Sequence, residues 1–98
     1  MKHTINLDLQ QITDLGVIWT DLVTRADKAF RDASNHAVAA GEHRATADKE
    51  QNIDIRVVWL KEAAAREAKC DKLNAEGDRL MTHATLVNSI LSQIKKNG

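Results

Sequence analysis

The chain has 98 residues, 14 basic and 14 acidic, with a formal net charge of zero and a single cysteine. A chain this short forms at most one domain and buries only about 60 to 70% of the surface its unfolded form exposes, so a large enclosed active site is not expected. Zero net charge supplies no whole-molecule field toward nucleic acid or an anionic membrane, and the lone Cys70 excludes an intrachain disulfide and fits a reducing compartment.

The opening stretch "MKHTINLDLQQ" has no apolar core of the kind a signal peptide carries, and "THATLVNSILSQI" is short and polar for a membrane span. A soluble, cytoplasmic protein with no membrane association is expected. Proline is absent, glycine occurs four times, and Ala, Leu, Lys, Glu, Asp and Arg are abundant, a mixture that favours helix. The aromatics Trp19, Phe30 and Trp59 are too few for most β-rich cores, and strict strand alternation is not evident. The fold class is therefore all-α.

The first helix is expected over about residues 8–45. Asp8 is its cap, Gln11 the capping-box partner, and Leu7 and Ile12 the two sides of a hydrophobic staple. Apolar or small residues then recur at Ile12, Leu15, Trp19, Leu22, Ala26, Ala29, Ala33, His36 and Ala40, spaced alternately three and four. That is a heptad seam. Asp21 with Arg25, Asp27 with Arg31 and Lys28 with Asp32 stand four apart on its outer faces.

The segment "GEHRATADKEQNID", residues 41–54, holds a glycine, dense charge and few large apolar groups, so the turn falls inside it. Asp54 then caps a second helix over about residues 54–95, flanked by Ile53 and Val58. A break at "DASN", residues 32–35, is the alternative and would give three helices. The second seam runs Trp59, Ala63, Arg66, Cys70, Leu73, Gly77, Leu80, Ala84, Val87, Leu91 and Ile94.

Folded as an antiparallel hairpin with its termini together, the chain places Trp19 near Leu80, between Gly77 and Ala84. Gly16 then lies near Ala84, Ala26 faces Leu73 and Ala40 faces Trp59. Large meets small, as close packing requires. Gly16 and Gly77 each cost about 1 kcal/mol relative to Ala, and room for the tryptophan is the expected reason to keep them. Apolar residues overflow the seam at Ile18, Val23, Phe30, Ile55, Val58, Leu86 and Ile90. A homodimer forming a four-helix bundle would cover them, and a different protein partner is the other possibility.

The core or interface residues expected on this reading are Ile12, Leu15, Trp19, Leu22, Phe30, Trp59, Arg66, Leu73, Leu80, Val87, Leu91 and Ile94. Toward the turn the seam thins to Ala33, His36, Ala40, Ala63 and Arg66. Arg66 is expected to pair with an acid across the hairpin or dimer, setting register at some cost in stability.

Catalytic, cofactor and metal sites are not expected. His36 and His43 stand seven apart, about 10 Å along a helix, and neither a His-x-x-x-His nor a Glu-x-x-His pair occurs. His36 reads as a half-buried hydrogen-bonding residue, and His3, His43 and His83 as surface groups. Cys70 reads as a small core residue rather than a nucleophile. The basic candidates Lys61, Arg66, Lys69, Lys72, Arg79, Lys95 and Lys96 are interleaved with Glu62, Glu67, Asp71, Glu76 and Asp78, which weakens any phosphate-backbone attraction. The expected function is thus that of a non-enzymatic, self-associating helical protein working through protein contacts as scaffold, adaptor or inhibitor. The alternative is a small nucleic-acid-binding regulator using one basic face of a helical dimer.

Overall fold

The computed structural model describes residues 8–97, with side-chain surroundings for residues 8–94. Two helices, α1 (Leu9–Lys49) and α2 (Ile53–Asn97), pack against each other as a helical hairpin. At 1.5 Å per residue a 45-residue helix is about 68 Å long. The molecule measures 68 × 25 × 14 Å, so it is one helix long and two helices across.

Local chemistry explains where the helices begin and end. The Asp8 carboxylate accepts from the Gln11 amide at 2.8 Å, and the Gln11 side chain accepts from the Asp8 amide at 3.0 Å, closing the capping box. Leu7, half of the expected staple, lies outside the described residues. At the other end the Glu50 amide donates to the Ala47 carbonyl, and the Arg56 guanidinium donates twice to the Glu50 carbonyl, at 3.1 and 2.7 Å. Asn52 starts α2: its Oδ1 accepts from the amides of Asp54 (2.9 Å) and Ile55 (3.4 Å). Asn52 thus takes the capping role expected of Asp54, because the turn is only Glu50, Gln51 and Asn52. Among the described residues no φ is positive, so this turn needs no glycine. Gly41 lies inside α1, which also runs unbroken through residues 32–35.

The helices meet along the two heptad seams. Ala26, Ala29, Ala33, Ala40 and Ala47 of α1 are buried against a seam of α2 that buries Ala63, Gly77, Leu80 and Ala84. Ile12, Leu15, Leu22 and Phe30 on α1 are half-buried. So are Trp59, Arg66, Cys70, Leu73, Val87, Leu91 and Ile94 on α2. α1 extends its heptad past Ala40 through His43 to Ala47, which moves the turn toward the C-terminus and slides the pairing by about three positions.

That slide corrects several expected contacts. Trp59 stacks on His43, with ring centroids 5.3 Å apart, instead of lying over Ala40. His43 is accordingly half-buried rather than a surface group. Phe30, not Trp19, occupies the space over Gly77: a Cβ there would stand 2.6 Å from Phe30 Cε1 and 2.7 Å from Cζ. A Cβ on Gly16 would meet nothing within 4 Å, so this glycine makes no room for a neighbour. Trp19 keeps 38% of its surface exposed.

Gly77→Ala gains about 1 kcal/mol of helix propensity but forces Phe30 out of its place, an overpacking cost of about 1–3 kcal/mol. A lower thermal midpoint by circular dichroism is expected. Gly41→Ala meets nothing within 4 Å. It is expected to raise stability by about 0.5–1 kcal/mol, a rise of several degrees in a domain of this size. Equal shifts for the two variants would mean that Phe30 does not rest on Gly77.

Candidate interaction surface

Near the turn the interhelical contacts become polar. Arg66 Nη1 lies 3.0 Å from His36 Nδ1 in a half-buried contact. A guanidinium has donors only, so His36 Nδ1 accepts and its imidazole carries its proton on Nε2. Arg66 therefore finds a neutral ring across the hairpin, not the expected acid. The acid-base pair forms one face over, where Arg44 Nε and Nη2 each donate to a Glu67 carboxylate oxygen at 2.8 Å. Both side chains are about half exposed. Their fork geometry aligns the helices more than it stabilises them, since exposed pairs contribute about 0.2–1 kcal/mol. Of the outer pairs, Arg31–Asp27 closes at 2.8 Å and Arg25–Asp21 at 3.7 Å.

Large apolar side chains left in solvent fall into two groups. At the turn end are Ile53, Ile55, Val57, Val58 and Leu60, exposed by 38 to 70%. At the open end are Leu9, Val17, Ile18, Trp19, Met81 and Leu86. Val38 stands between the groups. Heptad overflow identified Ile18, Ile55, Val58 and Leu86; Val23, Phe30 and Ile90 are instead half-buried, and the overflow missed Leu9, Val17, Val38 and Met81 and, at the turn end, Val57 and Leu60. The readable signal was the run "IDIRVVWL", which puts apolar residues on every side of a helix's first turns.

The open end also carries an open depression on α1, lined by Thr13, Gly16, Val17, Trp19, Thr20, Asp21 and Thr24. A second, more polar depression lies on the other side of the hairpin, among Arg25, Lys28, Ala29, Asp32, Leu73 and Glu76. Among the described residues, no three His, Cys, Asp or Glu side chains gather closely enough to hold a metal ion. Cys70 is half-buried in the seam, its Sγ accepting from Asn74 Nδ2 at 3.6 Å.

Of the basic candidates, Arg66 turns inward, and the exposed Lys61, Lys69, Lys72 and Arg79 share their surface with exposed acids. The side chains of Lys95 and Lys96, like all of His3, lie outside the described residues. His83 is exposed. Among the described residues no helix is long and apolar enough to cross a membrane.

The Arg66–His36 contact requires an acceptor at position 36. His36→Gln keeps one and is expected to change the unfolding free energy by less than about 0.5 kcal/mol. His36→Lys loses the acceptor and sets a second cation beside the guanidinium, and is expected to cost about 1–3 kcal/mol in urea titration. Similar midpoints for both variants would place Arg66 in water. No protein-family model, curated protein or solved structure matches the chain.

Proposed function

We propose that the protein is a non-enzymatic helical hairpin that self-associates into a four-helix bundle and works through protein contacts, as a scaffold, adaptor or inhibitor of a larger complex. One observation carries this reading: the hairpin buries mainly alanine and leaves twelve large apolar side chains exposed among its described residues. Isolated exposed hydrophobes are ordinary, but groups of five and six at the two ends of a rod are the composition of contact surfaces. The radius of gyration, 21.3 Å, exceeds the roughly 13 Å of a compact chain of this length. A rod of that kind presents long faces to a partner.

A second copy is the economical cover, because two-fold dimers are the commonest oligomers and bundles of four helices bury what two leave open. Light scattering on the unmodified protein is expected to give twice the chain mass of 10.9 kDa at micromolar concentration. A monomeric mass there would remove the four-helix bundle. Capture from the source cell, compared between the unmodified protein and Arg66→Leu, identifies the partner and reads whether the polar seam takes part in holding it.

A further inference from the structure

We draw no further inference here: the strongest candidate, the exposed apolar patch on the first turns of α2 formed by Ile53, Ile55, Val57, Val58 and Leu60, carries nothing because nothing in the structure shows what covers it.

Discussion

The structure depends on the small size of the side chains between its two helices. Five buried alanines on α1 meet Ala63, Gly77, Leu80 and Ala84 on α2, and Leu80 is the one buried residue larger than alanine among those described. Small residues let helix axes approach closely, but each buries little apolar area, and stabilisation follows area at about 25 cal/mol per Å². Close approach and shallow burial are thus the same fact. The large seam side chains that would stabilise the fold most, Leu15, Leu22, Leu73 and Val87, are only half-covered. The exposed surface is a consequence of how the two helices fit.

An alanine seam is also poor at choosing its own register, since one alanine fits against the next almost as well when the helices slide. Larger and polar residues supply the choice. Phe30 fits over Gly77, His43 stacks on Trp59, Arg66 reaches His36, and Arg44 forks onto Glu67. Three of these four contacts lie in the turn-proximal half, where the apolar seam is thinnest. The three-residue connection adds a covalent limit, because Asn52 and Arg56 fasten both helix ends to it. Turn, polar contacts and the Phe30–Gly77 fit all select one pairing, and such agreement among local choices is what separates a single structure from a set of slid alternatives.

Periodicity made the two helices and their seams readable before any geometry, because alternating spacings of three and four admit no strand reading. Asp8 and Gln11 were readable for a similar reason, since a capping box is a local contact between residues three apart. The turn was harder to place. Gly41 and the charged segment after it resemble a break, although the spacing of three and four itself continues from Ala40 to His43 and Ala47. The stacking partner of His43 is Trp59, which is distant along the chain and meets it only once the hairpin has closed. The same holds for Arg66: that it sits in the seam was legible, but whether it faces Asp32 or His36 depends on a slide of about one helical turn, below the precision of any spacing argument.

That slide decides which aromatic residue faces solvent. Helical side chains lean toward their own N-terminus, so Phe30 covers a point about one turn before its own Cα. With α1 ending at Lys49, that point falls on Gly77 of α2, and the ring is accommodated. Trp19, eleven residues earlier, is carried past the glycine that a shorter α1 would have offered it, and its indole remains at the edge of the hairpin. A turn placed three residues later therefore changes the surface at the opposite end of a 68 Å rod. The two ends are coupled through the rigidity of helices alone, and the length of α1 sets both the packing of the seam and the chemistry of the face that stays open.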